Sequence, residues 1–526
     1  MSTPKEPRAK VGVDDLLIAG GWAVEQLRQY IKDNAAPVKA GIRAELLEIT
    51  DAEEVPFYVR YGKGGNVSAV DLNPPALAKY HAQQHIELFE PDEKRFYSYH
   101  AETGLWMPRS PELVRCDIST DVIELARKLF ETDKTIMTMV AVKRSESTLD
   151  GIAGLAKGFM ERRNAFSRQA RHTIHCKNGV LDLDAMIFHG FAPEFYSRNQ
   201  VPADFNPAAE CPKFLEFIHQ SLDADDVDLI RRWGGTVILG GNPCQAVMLL
   251  TGHGGAGKGT LCEIIEEIIG RANVTELRTE HLGGDSRFET FRYIGKTLLV
   301  GKDVPGRFLQ EKGAATIKKL VGHDWVTAEG KGIRDSFDIR GEFAVLIASN
   351  ERLQVRLDGE CDVGAWRRRL NIIEYAPRPS HVKPVPDFSR QLVREEGSGI
   401  LSWLISGAVD VLREIQETGN RLRKTQRQLD RVDALLAEST ALEVYLGASV
   451  EVGDGDIAVN ELTSGFFDFC NAKGWRAGSA REVENRLSDL MLRLFSVARS
   501  NSLKRDGKAV RGFRGVVMKS NVEGEA

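Results

Sequence analysis

The segment GHGGAGKGT, at residues 252–260, carries the strongest chemical signal in the sequence. It matches the pattern G-x-x-x-x-G-K, directly follows the apolar run AVMLLT and directly precedes the helix-like run LCEIIEEIIG. Glycines let such a loop curl so that backbone N–H groups and the helix N-terminus face phosphates, while Lys258 reaches the β- and γ-phosphates of a nucleotide. The strand–loop–helix context disfavours the alternative of a glycine-rich turn with a surface lysine. We predict ATP as the cofactor, with contacts from Gly252, Gly254, Gly255, Ala256, Gly257, Lys258, Gly259 and Thr260.

Two other apolar runs end in side chains suited to magnesium and water. Gly259 stands where such loops usually carry Ser or Thr, so the hydroxyl that helps to hold Mg²⁺ is displaced to Thr260. The run TLLVGKD ends in Asp303, the position expected for an acid that holds Mg²⁺ through water. The run FAVLIASN ends in Asn350, whose amide could orient an attacking water. The alternative for Asp303 and for Asn350 is a polar residue that ends a strand and has no role in catalysis.

Three consecutive arginines, Arg367, Arg368 and Arg369, precede another apolar run in the segment GAWRRRLNIIEY. If the chain assembles as a ring, one of them could meet the γ-phosphate bound to a neighbouring subunit, as arginine fingers do. A solvated basic cluster is the alternative reading of these residues on their own.

The elements that must position these residues alternate along the chain between strand-like and helix-like runs. Residues 246–375 predict a mostly parallel sheet with helices packed on it, including helices at 257–270 and 314–321. Residues 80–235 predict an α+β domain, with strand-like runs such as 96–107 and helical runs such as 121–142. Four prolines between 377 and 386 predict an extended linker, followed by helices at 392–412 and 424–436.

The last 86 positions, 441–526, predict a winged-helix-like domain that binds DNA. Predicted helices at 458–472 and 480–495 precede a basic, glycine-punctuated strand pair. The cations of this pair oppose only Asp506 locally, and we predict DNA contacts from Lys504, Arg505, Lys508, Arg511 and Arg514. A further basic run at 421–431 is more typical of a solvated helix face than of a nucleic-acid contact.

In this order and spacing the motifs resemble the superfamily 3 helicases, most closely the phage, plasmid and poxvirus primase-helicase family. The segment IKKLVGHDWVTAEGKGIRDSFDIRG, at 317–341, resembles the motif of that family between its acidic strand and its asparagine strand. The resemblance extends to KNGVLDLD (177–184), NPAAECPKFLEFI (206–218) and ILSWLISGAVDVL (400–412), and covers about residues 80–520.

The resemblance implies an AAA+-like P-loop ATPase core and assigns roles to particular residues. Gly257, Lys258 and Thr260 would bind nucleotide, and Asp303 would act as the magnesium acid. Asn350 would act as the sensor, and Arg368 or Arg369 as the finger. Residues 325–339 would form a hairpin in the central channel of a ring, with Lys331 and Arg334 near its tip, in contact with DNA.

One position departs from the pattern of the wider superfamily. Its members often carry two adjacent acids at the end of the second strand, whereas this chain has Lys302 before Asp303. The base that activates water is therefore left open, with Glu289 and Glu311 as candidates.

Composition restricts the class of protein. The chain has 526 residues with 70 Lys and Arg against 75 Asp and Glu, so any contact with nucleic acid must come from local basic patches. Seven cysteines without a C-x-x-C pair indicate neither a disulfide framework nor a zinc ribbon, and we expect a reduced, cytoplasmic setting. The segment RHTIHC (171–176) has no second ligand pair, which favours a structural role over a metal site. We expect no membrane segment, since no apolar run approaches about 18 residues.

The predicted domain order is an amino-terminal segment of open role (1–79), an α+β domain (80–235), the ATPase core (236–376), a linker with helices (377–440) and the winged-helix-like domain (441–526). The function that follows is an ATP-driven replicative DNA helicase of a phage, plasmid or prophage. It would act on single-stranded and forked DNA as a ring, with a hexamer expected. The alternative is an ATP-dependent DNA-binding initiator or defence factor that does not unwind processively. Primer synthesis is not expected, because residues 1–80 are too few for a polymerising domain.

Overall fold

The computed structural model describes residues 55–519, apart from 63–64, 131–132, 167–171, 283–286, 307, 311–312, 331–336, 352, 356, 358–359, 378–384, 476 and 506. The sequence also predicts a helical stretch at 13–32. This stretch and two of the four linker prolines, Pro379 and Pro384, lie outside the described residues. The chain divides into two compact units, Met1–Ala165 and Phe166–Ala526. This division falls inside the predicted α+β domain, and the boundaries of the five predicted domains stay predictions.

Helices and short antiparallel strands make up the described part of the first unit. Strands β1 and β2 form a pair, and β3, β4 and β5 form a sheet in that order. The strands of this unit are β1 (Phe57–Tyr61), β2 (Val67–Leu72), β3 (Glu87–Glu90), β4 (Arg95–His100) and β5 (Leu105–Arg109). Its helices are α1 (Pro74–Gln84), α2 (Pro111–Phe130), α3 (Lys134–Lys143) and α4 (Glu146–Met160).

The helical run predicted at 121–142 is two helices, α2 and α3. Asp133 caps the second helix, because its carboxylate accepts hydrogen bonds from the backbone N–H groups of Thr135 and Ile136. Such a cap satisfies N–H donors that have no partner within the helix, and it marks a new helix start inside an apolar pattern that reads as continuous.

The second unit begins with a three-stranded antiparallel sheet followed by two helices. These elements are β6 (Thr173–Cys176), β7 (Gly179–Asp182), β8 (Ile187–His189), α5 (Pro212–His219) and α6 (Ala224–Leu239). Asp223 accepts a hydrogen bond from the N–H of Asp226 and so begins α6, whose buried face packs in the largest core of the protein.

A five-stranded parallel sheet forms the centre of the second unit and confirms the predicted α/β core. Its strand order is β10–β11–β14–β9–β15, and each neighbouring pair is parallel. The strands are β9 (Val247–Gly252), β10 (Val274–Glu276), β11 (Leu298–Gly301), β14 (Ala344–Ala348) and β15 (Leu370–Tyr375).

Continuous apolar runs form these strands because both faces of the sheet are covered. In β9, Met248 and Leu250 belong to one core, while Val247 and Leu249 belong to the core on the other face. Helices α7 (Lys258–Ile269) and α11 (Phe388–Glu414) contribute to the first core, and α9 (Gly313–Val321) and α12 (Gln426–Ser439) to the second. Burial on both sides therefore sets the sheet between two helical layers.

Shorter elements surround the sheet. Strands β12 (Trp325–Ala328) and β13 (Phe337–Arg340) pair antiparallel, with Trp325 opposite Arg340, which confirms the predicted hairpin. Its predicted tip residues, Lys331 and Arg334, lie outside the described residues. The other elements are α8 (Arg287–Thr290), α10 (Glu360–Arg369) and 3₁₀ turns at Pro193–Phe195, Thr279–His281, Phe291–Tyr293 and Phe308–Gln310.

The carboxyl-terminal elements follow the order helix, strand, helix, helix, strand, strand around a separate apolar core. The three strands form one antiparallel sheet in the order β16–β18–β17. The elements are α13 (Ala441–Ser449), β16 (Val450–Ala458), α14 (Val459–Lys473), α15 (Ala480–Phe495), β17 (Arg499–Arg505) and β18 (Lys508–Met518). The two predicted helices and the predicted strand pair are confirmed, and β16 is additional.

Over the part of the chain that the structure describes, no helix combines the length and the apolar character needed to traverse a bilayer.

Candidate functional site

The carboxyl ends of three adjacent strands carry the residues that the sequence singled out. Strand β14 lies between β9 and β11, so the glycine-rich loop after β9, Asp303 after β11 and Asn350 after β14 meet at one edge of the sheet. In parallel α/β sheets this edge is where ligands bind. The strand order therefore brings together segments that are about 100 residues apart in sequence.

The loop between β9 and α7 has a backbone that favours glycine at three positions, Gly252, Gly255 and Gly257. Gly252 has a φ of 128°, and a Cβ there would lie 2.6 Å from the carbonyl oxygen of Tyr375. Gly257 has a φ of 101° and is the N-cap of α7, which begins at Lys258. Both angles lie in the region that L side chains rarely adopt. The loop therefore turns directly into a helix whose first N–H groups are available to an anion.

Lys258 folds back over this loop. Its side chain is buried, and Nζ donates hydrogen bonds of 2.8 Å to the carbonyl oxygens of Gly252 and His253. Burial lowers the pKa of Lys258 from its ordinary value, and nearby Asp303 acts in the opposite direction. The ammonium group is thus held at the loop by neutral carbonyl groups, which a phosphate could replace as its partner.

Asp303 and Asn350 are in contact at the same edge. The Asn350 amide Nδ2 lies 3.3 Å from the Asp303 carboxylate Oδ1, and both side chains are exposed. Asp303 has a positive φ of 52°, and the next residue, Val304, donates its N–H to the Ala348 carbonyl oxygen. Ser349 is buried and donates its hydroxyl to the Val304 carbonyl oxygen at 2.7 Å. The ends of β11 and β14 are therefore tied to each other, which holds the carboxylate beside the amide.

The residue that replaces a second acid points toward a neighbouring helix. Lys302 forms an ion pair with Glu266 of α7, with Nζ 3.0 Å from Oε2. Glu289, a candidate base, is buried and pairs with Arg278 and Arg292. Two guanidinium groups occupy its carboxylate oxygens, an arrangement typical of a structural ion-pair network. Glu311, the other candidate, lies outside the described residues.

The three arginines have different environments. Arg367 is held by Asp433 of α12 through two hydrogen bonds, of 2.7 and 2.8 Å. Arg369 is buried, and its Nη1 donates to the Ala365 carbonyl oxygen. Burial and the neighbouring Arg368 lower the pKa of Arg369. Arg368 is exposed and forms no ion pair with any residue that the structure describes. Of the three, Arg368 is therefore the exposed arginine without an acidic partner among the described residues.

One aromatic side chain beside this loop, and a second one packed on it, were not singled out from the sequence. Phe217 of α5 packs beside the loop, 3.5 Å from where a Cβ on Gly257 would lie. Its ring centroid is 5.4 Å from that of Phe388, at the start of α11. The sequence signal was the apolar face of NPAAECPKFLEFI, which by itself indicates only core packing.

The predicted DNA-binding residues at the carboxyl terminus also separate into two groups. Lys504, Lys508, Arg511 and Arg514 are exposed on β17 and β18. Arg505 instead pairs with Asp456 at 2.6 Å and Glu461 at 2.8 Å, and these contacts, above all that with Glu461, raise its pKa. The charge of Arg505 is therefore compensated within the domain, so its surroundings do not fit the predicted contact with DNA.

Two further segments, 171–176 and 421–431, were predicted from the sequence to have no metal-binding or nucleic-acid-binding role. Side chains of both segments contact other residues of the fold. In 171–176, His172 contacts Asp184 at 2.7 Å, His175 stacks on Phe191, and Cys176 is buried, which raises its pKa to about 12. In 421–431, Arg427 pairs with Asp223 and Arg431 with Asp226. These arginines attach α12 to the start of α6 and are not simply solvated.

Comparisons with known proteins match two separate segments. Residues 76–222 match the family described as D5 N terminal like, and residues 250–369 match a family of unknown function, DUF5906. The match to the D5 N terminal like family supports the predicted resemblance to the phage-type primase-helicases.

Solved structures of the NrS-1 C-terminal region are also similar to this chain. The A-form apo structure of residues 305–718 of that protein has 13% sequence identity and a TM-score of 0.44, and it covers 84% of this chain and 99% of that chain. A second A-form apo structure has 14% identity and a TM-score of 0.43, with the same coverage.

Proposed function

We propose that this chain hydrolyses ATP and uses the energy to move along and unwind DNA during the replication of a phage or related element. The observation that carries the proposal is the meeting of the Lys258 loop, Asp303 and Asn350 at one edge of a parallel sheet. The family itself indicates a replication protein. The proposed core is of the AAA+-like P-loop type, and its assignment to superfamily 3 belongs to the same proposal.

The loop and the start of α7 would bind the phosphates through backbone N–H groups, with Lys258 on the β- and γ-phosphates. Thr260 and Asp303 offer the oxygen ligands that Mg²⁺ prefers, and they would hold it there. Bound Mg²⁺ supplies charge neutralisation on the β- and γ-phosphates. Asn350, beside Asp303, would orient the attacking water through its amide. Phe217 offers an aromatic ring beside Gly257, at the start of α7.

Asp303→Asn is expected to reduce Mg²⁺-dependent ATP hydrolysis by about 100-fold while nucleotide binding weakens less, because the amide loses the charge that holds the cation. Hydrolysis and nucleotide affinity are measured separately over a range of Mg²⁺ concentrations. Asp324→Asn, at an acid after α9, is the control and should keep wild-type turnover. If Asp303→Asn also keeps it, the acid that holds Mg²⁺ is another residue.

We propose that the active sites form between subunits of a ring. Arg368 is the residue whose substitution tests this most directly. Its exposed position fits a finger that acts on a neighbouring subunit, whereas Arg369 is buried and Arg367 is paired with Asp433. A group that must reach another chain has to be accessible on its own chain. We therefore assign the proposed finger role to Arg368 and treat Arg369 as a packing residue.

Strand displacement on a forked DNA substrate tests the proposed function as a whole. ATP-dependent release of one strand, lost without hydrolysable nucleotide, is the expected result for a helicase. ATP-dependent DNA binding without strand release would instead support the initiator or defence alternative. The Lys302–Glu266 pair gives that alternative its specific support, because a lysine stands where the wider superfamily often has an acid.

The hairpin of β12 and β13 is proposed to couple the nucleotide cycle to DNA movement through Lys331 and Arg334. Lys331→Ala is expected to keep assembly and basal hydrolysis but to lose most fork unwinding, because one cation adds little to overall affinity yet holds the strand. Unwinding and DNA-stimulated hydrolysis are measured together, with Lys319→Ala on α9 as the control. Wild-type values of both activities in Lys331→Ala and Arg334→Ala would remove the hairpin from the mechanism.

The carboxyl-terminal elements are proposed to form a winged-helix domain. Their order, with two consecutive helices followed by a strand pair, supports a second helix in the major groove and a wing at the turn between β17 and β18. The exposed cations on these two strands would then contact phosphates.

Replacing Lys504, Lys508 and Arg511 together by Ala is expected to weaken duplex binding and to reduce the log–log salt slope by about 0.9 for each lost phosphate contact. ATP hydrolysis should remain unchanged. Arg505→Ala serves as the comparison within the domain, because it should lower thermal stability more than it changes the slope. Binding is measured across a salt series, and an unchanged slope in the triple variant would show that this strand pair does not contact the phosphates.

A further inference from the structure

Three side chains in the first compact unit, none of them part of the site described above, bring together donor groups that bind metals. His81 lies in α1, His85 follows the last residue of that helix, and Asp121 lies in α2. One ligand atom from each lies within 4.8 Å of the other two. Asp121 Oδ2 is 2.5 Å from His81 Nδ1 and 3.0 Å from His85 Nε2. One carboxylate thus faces two imidazoles that are a single helical turn apart.

The surroundings of His81 match those of a histidine that binds a metal. Its side chain is fully buried, and the remaining ring nitrogen, Nε2, lies 3.3 Å from Glu87 Oε2. Neither of these two buried atoms makes a well-formed hydrogen bond to the residues that the structure describes. Metal-binding histidines usually direct their second ring nitrogen at a carboxylate, which fixes the tautomer. Glu87 can hold a proton on Nε2 and so leave Nδ1 free for a cation.

The charge of the cluster also favours a divalent cation. Arg109 contacts Glu87 at 3.1 Å and Asp117 at 2.5 Å. With neutral imidazoles, the three carboxylates of Glu87, Asp117 and Asp121 exceed this one guanidinium by two negative charges. Of these carboxylates, Glu87 and Asp121 are largely buried, and because buried charge without compensation is costly, a bound dication would stabilise them.

Protonation of His81 is the alternative to a bound metal ion in this cluster. Burial by itself lowers the pKa of His81, but the contacts with Asp121 and Glu87 outweigh it and raise that pKa to about 9. A His81 imidazolium between two carboxylates would compensate only part of the negative charge. In that case His85 would be only a hydrogen-bond partner of Asp121, at 3.0 Å.

We propose that a divalent metal ion such as Zn²⁺ binds to three groups: His81 Nδ1, His85 Nε2 and the Asp121 carboxylate. This ion links α1 to α2. Two imidazoles and one carboxylate form a ligand set suited to Zn²⁺. Donors around a tetrahedral ion with bonds of about 2.0–2.1 Å are about 3.3 Å apart. The separations of 3.0 and 3.1 Å at His85 are close to that value, and the 2.5 Å contact at His81 would widen. The partly exposed side of His85 leaves access for a water as a fourth ligand.

Zinc binding by the full chain, after treatment with a chelator, tests the proposal. Calorimetric titration with Zn²⁺ should show one site per chain, and saturation should raise the melting temperature. His85→Ala should weaken Zn²⁺ binding at least about 10-fold and abolish the rise in melting temperature. His85 is partly exposed, so this variant should fold, which circular dichroism checks. His100→Ala, at an exposed histidine of β4, is the matched control and should bind as the wild type does.

Two further measurements separate this site from its competitors. Co²⁺ should give visible bands of a nitrogen and oxygen site, without the intense near-ultraviolet band of a cobalt–thiolate bond that binding at a cysteine would produce. Glu87→Gln should weaken Zn²⁺ binding by about 10- to 100-fold, as expected for a residue that positions a ligand. Absence of stoichiometric Zn²⁺ binding, or equal binding by wild type and His85→Ala, would overturn the proposal and leave the protonated His81 cluster as the explanation.

Discussion

Lys258→Ala is expected to reduce ATP hydrolysis by at least about 1,000-fold without unfolding the protein. The Nζ ammonium supplies the charge proposed to act on the β- and γ-phosphates in the transition state, so its loss removes stabilisation where negative charge develops. The folded structure loses only two hydrogen bonds from Nζ, both to carbonyl oxygens of the neighbouring loop. Steady-state hydrolysis and thermal melting of the same preparation are the two measurements.

Lys177→Ala is the matched control for this change. Lys177 is an exposed lysine of the same compact unit, at the turn between β6 and β7, and its removal should leave hydrolysis unchanged. Hydrolysis near the wild-type rate in Lys258→Ala would contradict the assignment of the nucleotide site. Loss of hydrolysis together with a large fall in melting temperature would point to misfolding, which Lys258→Arg, a variant that retains charge, would then distinguish.

Arg368→Ala is expected to keep ATP binding but to lose about 1,000-fold or more in hydrolysis, the scale at which arginine fingers contribute. The side chain is exposed on its own chain, so its removal should leave folding intact. Nucleotide binding and turnover are measured on the same sample at a protein concentration where the chain is assembled. Arg367→Ala is the control next to it, because Arg367 pairs with Asp433 within its own chain.

Mixing Arg368→Ala with Lys258→Ala tests whether the arginine acts between subunits. In a mixed ring, an intact loop on one subunit can meet an intact Arg368 on the next, so part of the activity should return. Subunit exchange is verified with differently labelled chains. If exchange occurs and no activity returns, the arginine does not act on a neighbouring subunit.

Local patterns in the sequence were sufficient to predict the strands and the loop that form the site. The apolar runs before residues 252, 303 and 350 are buried on both faces, so their strand character could be recognised from composition alone. Glycines at 252 and 257 were recognisable because few other residues suit that loop. The carboxyl-terminal helices and strand pair were likewise evident from apolar spacing and turn residues. Hydrophobic periodicity and special backbone angles are properties of neighbouring residues, which explains these successes.

The tertiary structure alone decided which residues share an environment. The strand order that places β14 between β9 and β11 brings Asp303 to Asn350, and no local pattern encodes that order. Three adjacent arginines look alike in sequence, yet packing buries Arg369, pairs Arg367 and exposes Arg368. Arg505 looked like a free cation until β16, absent from the sequence prediction, placed Asp456 beside it.

The sequence alone likewise did not show that His81, His85 and Asp121 form a cluster. Two histidines four residues apart are visible in the sequence, but their meaning depends on a carboxylate from another helix, 36 residues after His85. Burial, charge compensation and ligand geometry arise from contacts between distant segments. For this protein the sequence by itself was sufficient to predict the strands of the candidate site, the family resemblance and the candidate nucleotide loop, and the packing of the elements decided which charges are free to act.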